Sequence, residues 1–278
     1  VAVAGAHAIL FQAGLAERLP STLDWRAAAA LVTRDARPGD ATLVSPPWAE
    51  RARSALPSAV PVLPVRRAVA GDLVGVRRVW LLSLPGAPGF TQRFAADLSA
   101  RSVAVDGPQR LGALEVSLYT IAAPTLPLAY LPDLLAGAEV RLGETPCPAG
   151  PSRAFGCPGS TARVAREVRE LDAVARPCIA AASDPGAGAD LVLTFLALPV
   201  GRVLRGHAAA VAPGAAVRLV VSIDGEEVGT VEVPGAGSGR PFQLDTARFA
   251  GGLRSLSFAL AGAGPATPTL CVEAMTLP

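Results

Sequence analysis

All four cysteines of this chain, Cys147, Cys157, Cys178 and Cys271, fall in its second half, and the first 146 residues hold none. No two of them stand in Cys-x-x-Cys spacing, and the whole chain has only two histidines, so disulfides fit better than a metal site. Disulfides persist outside the cytosol. The spacing favours Cys147–Cys157, a local staple of a Pro/Gly-rich loop, and Cys178–Cys271. The second bridge would tie the strand after Pro177 to the last strand. Closing that long loop is worth on the order of 4 kcal/mol in the chain-entropy model.

The cysteines also divide the chain. At 278 residues there is room for two domains, each with its own core. The 28 glycines and 26 prolines stay below low-complexity levels, and the 51% hydrophobic fraction indicates a folded globular protein. A formal charge of +2, with no basic cluster longer than Arg77-Arg78, gives no footprint for nucleic acid. All 25 basic residues are arginine, which a GC-rich coding sequence explains, with planar anionic or sugar ligands the secondary reading.

Residues 1–14 read as an apolar remnant of a membrane or signal segment. The run is too short, and too interrupted by His7 and Gln12, to span a bilayer. Ala6-His7-Ala8 fits a signal-peptidase site, and the last turns of a transmembrane helix fit equally. Both place the remainder outside the cytosol, with contact to a membrane through this segment.

Residues 15–123 alternate helical and strand patterns. Ser21 or Thr22 caps a helix from Leu23 to Ala36, stopped by Arg37-Pro38-Gly39-Asp40. Strands follow at Ala41 to Ser45, Val60 to Val65, Arg78 to Leu84, Ser102 to Val105 and Leu114 to Ile121. Helices are expected at Trp48 to Leu56 and Phe90 to Ala100. This is a small three-layer α/β sandwich. Residues 124–158 read as a Pro-rich connection with a short helix around Pro132 to Ala136. Residues 159–278 carry short strands between turn residues, with Asp224-Gly225 a strong hairpin signal. They predict an antiparallel, jelly-roll-like β-sandwich.

Candidate chemistry is sparse. The glycines of Leu84 to Gly89 are wrongly spaced for a dinucleotide fingerprint, and Pro46, Pro47, Pro85 and Pro88 remove amides that phosphate would need. The α/β half is therefore expected to bind no nucleotide. Gly235 to Gly239 is a turn. His207 would need a serine and a carboxylate beside it to form a triad, and otherwise is a polar residue on a strand. Glu226-Glu227 follow a hairpin turn, where solvated charge is usual. Asp184 and Asp190 offer oxygen ligands for calcium, but without EF-hand spacing a plain turn is favoured. No catalytic residue, cofactor or metal is assigned. All tryptophans, and both Tyr119 and Tyr130, precede residue 159, so sugar stacking within 159–278 is disfavoured and arginine-bearing loops are the alternative. A ligand would sit at the seam of the two halves, near Tyr130.

Asp24-Trp25-Arg26, Arg37-Pro38-Gly39-Asp40 with its strand, Arg78-Val79-Trp80-Leu81-Leu82 and the strand Val116 to Tyr119 carry a resemblance. They resemble the soluble tail of multi-spanning bacterial glycosyltransferases related to protein O-mannosyltransferases, over residues 10 to 121. The resemblance implies an extracytoplasmic, non-catalytic region of a polyprenyl-phosphate-sugar-dependent enzyme that recognises a glycan or acceptor protein. That family's catalytic carboxylates lie in loops between membrane helices, and none corresponds to a position here. The alternative is a free-standing secreted or periplasmic binding protein.

Overall fold

The computed structural model describes residues 19–46, 54–63, 73–85, 90–171, 174–184, 186, 188–211, 216–235, 239–261 and 269–278. The expected N-terminal segment, most of the helix from Trp48, and the tip of the Leu84 to Gly89 loop lie outside these residues. The chain forms two compact units, Val1–Leu126 and Pro127–Pro278. No helix among the described residues is long and apolar enough to cross a membrane.

The first unit is the expected α/β sandwich. Helix α1 (Thr22–Asp35) starts at a capping box: Ser21 accepts from the Asp24 amide, and Asp24 accepts from the Ser21 amide. The sheet contains β1 (Asp40–Ser45), β2 (Arg78–Ser83), β3 (Ser102–Leu111) and β4 (Leu114–Ile121), in the order β1-β2-β4-β3. β1 and β2 are parallel and the other pairs antiparallel, so the sheet is mixed. Trp25, Ala28 and Val32 of α1 pack with Trp80, Leu82 and Val116 on one face. Phe94 and Leu98 of α2 (Phe90–Ser99) pack with Leu43, Leu81 and Tyr119 on the other. Apolar residues on both faces of β2 are thus explained by a helix on each side. Of the strand expected at Val60 to Val65, one parallel bridge, Thr42 to Val62, is described.

The quoted motif residues build this unit. Asp40 is buried, and its carboxylate accepts from Arg78 at 2.8 and 2.7 Å, from Trp80 Nε1 at 2.9 Å and from the Arg37 amide at 3.0 Å. Burial pushes its pKa up, but these donors outweigh burial and hold it below the ordinary aspartate value. Asp24 also reaches the β3–β4 turn, where Gly112 has φ +61 and a Cβ would collide with its carboxylate.

The second unit is an antiparallel β-sandwich. One sheet has the order β15-β12-β17-β10-β9-β8, comprising Arg240–Asp245, Val203–Ala210, Leu270–Leu277, Val174–Ala182, Arg163–Leu171 and Phe155–Gly156. β5 (Ala129–Tyr130) adds to β17. The other has the order β14-β13-β16-β11-β6-β7, comprising Glu226–Val233, Val217–Ile223, Gly252–Ala261, Leu191–Val200, Glu139–Leu142 and Thr145–Pro146. From β10 onward every connection except the β13–β14 hairpin crosses between the sheets, which is the jelly-roll pattern. That hairpin turns at Asp224-Gly225, both at positive φ, as its residues demand.

Residues 127–158 are not a connection. They supply β5, the short helix α3 (Leu131–Leu134), a 3-10 turn and β6 to β8, and Leu131, Leu135 and Val140 join the sandwich core. Two of their prolines sit where a helix or strand tolerates them: Pro132 opens α3, and Pro146 ends the edge strand β7. Cys147 pairs with Cys157 and Cys178 with Cys271, at Cα separations of 4.2 and 5.6 Å. The second bridge joins adjacent strands β10 and β17 across a sequence separation of 93.

Removing one partner of a buried ion pair strands the other. Asp40→Ala is therefore expected to lower stability by about 3–5 kcal/mol in urea unfolding. A loss under about 1 kcal/mol would show that the motif is not what holds this unit together.

Candidate functional site

β17 is a run of apolar residues interrupted by one charge, Glu273. Its alternate residues Leu270, Val272 and Ala274 face the sandwich core. Strand alternation therefore sends Cys271, Glu273 and Met275 to the outer face of the sheet. There the Cys178–Cys271 bridge packs with Ala209, and Glu273, 5% exposed, lies one position further along the same face.

Three elements bring partners to Glu273. His207 on β12 stands directly opposite in the strand register. Its Nδ1 is 3.3 Å from Glu273 Oε2 but lacks the alignment of a hydrogen bond. Arg176 on β10 donates from Nη1 at 2.9 Å. The Tyr130 hydroxyl, at the end of β5, lies 3.0 Å from Glu273 Oε1 and 3.1 Å from the Pro177 carbonyl. Its single proton serves one acceptor at a time, and the carboxylate is the stronger.

Burial raises the Glu273 pKa, while His207, the Arg176 charge and the Tyr130 hydroxyl together outweigh it and hold it below the ordinary glutamate value. Burial, then the Glu273 charge, pushes the Tyr130 phenol well up, so it stays a donor. The cluster is a fixed carboxylate ringed by donors. Around it the same face opens: Arg205 is half-buried, and Gln243, its register partner on β15, is exposed.

The structure thus unites Tyr130 and His207, singled out separately in the sequence, around two residues that were not. Glu273 was detectable as a lone carboxylate in an apolar strand. Arg176 had no local signal. Tyr130 belongs to the sandwich and not to a connection before it, but its hydroxyl is engaged and its ring is half-buried. The strand neighbours of His207 on this face are Arg205, Ala209, Pro241 and Glu273, so of the serine and carboxylate that a triad needs they supply only the carboxylate. Phe155, Phe195, Phe242, Phe249 and Phe258 are all buried.

The remaining candidates resolve locally. Asp184 accepts from Ser160 Oγ at 2.6 Å and from the Thr161 and Gly186 amides, fastening two loops, while Asp190 is exposed. Among the described residues, no cluster of three His, Cys, Asp or Glu is placed to hold a metal. Glu226 pairs with Arg248 and Glu227 accepts from Thr230, both at the surface. The middle of Gly235 to Gly239 lies outside the described residues.

No protein-family model matches this chain, and no curated protein does. Solved structures give distant similarity only. A secreted serine protease from Vibrio cholerae has 12% identity and a TM-score of 0.31, covering 59% of this chain and 36% of its own. A family 11 carbohydrate-binding module from Clostridium thermocellum, in complex with a mixed-linked tetrasaccharide, has 13% identity and a TM-score of 0.29, covering 43% and 84%. A family 43 arabinoxylan arabinofuranohydrolase from Bacillus subtilis has 13% identity and a TM-score of 0.31, covering 72% and 40%. The chain spans well under half of the protease and of the hydrolase, and none of these assigns it to a family.

A carboxyl with a depressed folded pKa stabilises the native state above its ordinary pKa, and that contribution is lost as pH falls through the depressed value. Tyr130→Phe removes one cause of the depression, so acid unfolding followed by circular dichroism should begin at higher pH. At neutral pH the variant should lose about 1.5–3 kcal/mol, as for a hydrogen bond to a charged group. An unchanged acid transition would mean that Tyr130 does not hold the carboxylate.

Proposed function

We propose that this chain is a non-catalytic, extracytoplasmic recognition region whose β-sandwich binds glycan on the outer face of the β12–β17–β10 sheet. The observation that supports this is the Glu273 cluster. A carboxylate held charged and immobile by Tyr130 and Arg176, beside His207, orders a sheet face whose adjoining Arg205 and Gln243 meet solvent. Guanidinium, amide and imidazole groups on rigid strands offer donors and acceptors at fixed spacing, the chemistry that vicinal hydroxyls require. No exposed tryptophan or tyrosine is needed for that mode. The two disulfides agree with an oxidising compartment.

The resemblance in the first unit supports a finer reading, in which the region belongs to a membrane glycosyltransferase and presents acceptor glycan or protein to it. Its quoted residues, Asp24, Asp40, Arg78 and Trp80, form that unit's framework. The gene sequence upstream tests this part. Eight or more apolar 20-residue segments support it, and a short Arg- or Lys-rich leader selects the free-standing binding protein.

A glycan array probed with the chain is expected to retain at least one glycan. Arg205→Ala and His207→Ala should each weaken that binding about tenfold or more, equivalent to about 1.4 kcal/mol, and Arg205→Ala should do so without lowering the thermal midpoint. Retention of no glycan, or binding by both variants equal to that of the parent chain, would refute the reading. Turnover of a sugar ester or polyprenyl-phosphate sugar, abolished by His207→Ala, would replace it with a hydrolase or transferase.

A further inference from the structure

The first unit holds a cleft of about 440 Å³ that the sandwich face does not involve, within the roughly 300–1,000 Å³ of small-ligand pockets. One wall is the last turn of α1 with Arg34, Asp35 and Arg37, and the other is the β3 segment from Asp106 to Gln109. Its floor combines Arg78 and Trp80 of β2 with Leu118 of β4.

Two features make the cleft more than a gap. First, β3 departs from its register with β4 between Asp106 and Gln109, which turns the strand edge at that wall. Gly107 there has φ +103, and a Cβ would meet the Val116 carbonyl at 2.8 Å, so the backbone comes as close as only glycine allows. Second, Arg78 is pinned. Asp40 takes two of its hydrogen bonds, the Asp35 carbonyl accepts a third at 2.8 Å, and its guanidinium carbon lies 5.9 Å from the Trp80 ring centroid. A group fixed in this way meets a ligand without loss of side-chain freedom.

The charges of the cleft decide the ligand class. Arg34 pairs with Asp35 and Arg78 with Asp40. Arg37 and Asp106 are exposed; the Arg37 charge acts on Asp35 without forming a close ion pair, and Asp106 has no ion pair among the described residues. One exposed guanidinium and one exposed carboxylate thus stand on the two walls, and the cleft's three arginines, Arg34, Arg37 and Arg78, are balanced by Asp35 and Asp106 in the lining and by Asp40 beneath Arg78. A simple anion or cation gains from one of them and is repelled by the other. A neutral polyhydroxylated ring uses both, its hydroxyls accepting from Arg37 and Arg78 and donating to Asp106, with its C–H face on the apolar part of the floor.

We infer that this cleft is a second carbohydrate subsite, taking a single neutral sugar unit between Arg37 and Asp106 above Arg78. It shares a ligand class with the sandwich reading but none of its residues, so either can fail alone.

The test is an NMR titration of the whole chain with methyl α-mannopyranoside, methyl β-glucopyranoside and methyl α-arabinofuranoside. Acetate and glycine serve as the anionic and zwitterionic probes. At least one glycoside is expected to shift the Arg78 Nε–H resonance saturably. Arg37→Ala and Asp106→Ala, both at exposed positions, should weaken that binding about tenfold, while His207→Ala leaves it unchanged. The inference is overturned if no glycoside shifts the resonance, if the two variants bind as the parent does, or if only acetate or glycine produces the shift.

Discussion

The sandwich depends on where its last strand goes. β17 enters the middle of a sheet and pairs with β12 on one side and with β10 and β5 on the other. The outward residues Cys271 and Glu273 of β17 are as buried as its core-facing ones, so they too are taken from water. The strand sends out a disulfide and a carboxylate. An isolated buried carboxylate would cost several kcal/mol. Arg176, Tyr130 and His207 offset that cost by arriving from three separate elements, so the cluster forms only when β5, β10 and β12 are all in register. The Cys178–Cys271 bridge, one position along the same face, restrains β10 and β17 against the slip that would move Glu273 to the core side.

The first unit solves the same problem in the same way. Asp40 is buried at the start of β1 and held by one arginine, one aromatic donor and one backbone amide. Glu273 is held by one arginine and one aromatic hydroxyl, beside an imidazole. At Asp40 the guanidinium fork does what a lysine ammonium cannot. Arg78 meets both carboxylate oxygens of Asp40 and still donates to the Asp35 carbonyl. A chain whose basic residues are all arginine has this option at every site.

Much of the fold was legible because it is encoded locally. The Ser21–Asp24 box, the strand with apolar residues on both faces and the Asp224-Gly225 turn each specify their element within a few residues. The cysteine pairing followed from one short and one long spacing. Residues 127–158 misled because their prolines suggest a linker, whereas Pro132 opens a helix, Pro146 ends an edge strand, and the others lie between elements. The hairpin of β9 and β10 was mostly missed, since Arg163, Arg166, Arg169, Glu167 and Glu170 give no strand alternation. The cluster itself could not be read ahead. Tyr130 and Glu273 are 143 residues apart, and only the placement of β17 brings them together.

The central claim is that the outer face around Glu273 is the face that meets glycan. Carbene footprinting of the chain, with and without a glycan retained on the array, tests it most directly. The account predicts reduced labelling at Arg205, His207 and Gln243, with the opposite sheet unchanged. Protection confined to β13, β14 and β16 would contradict it.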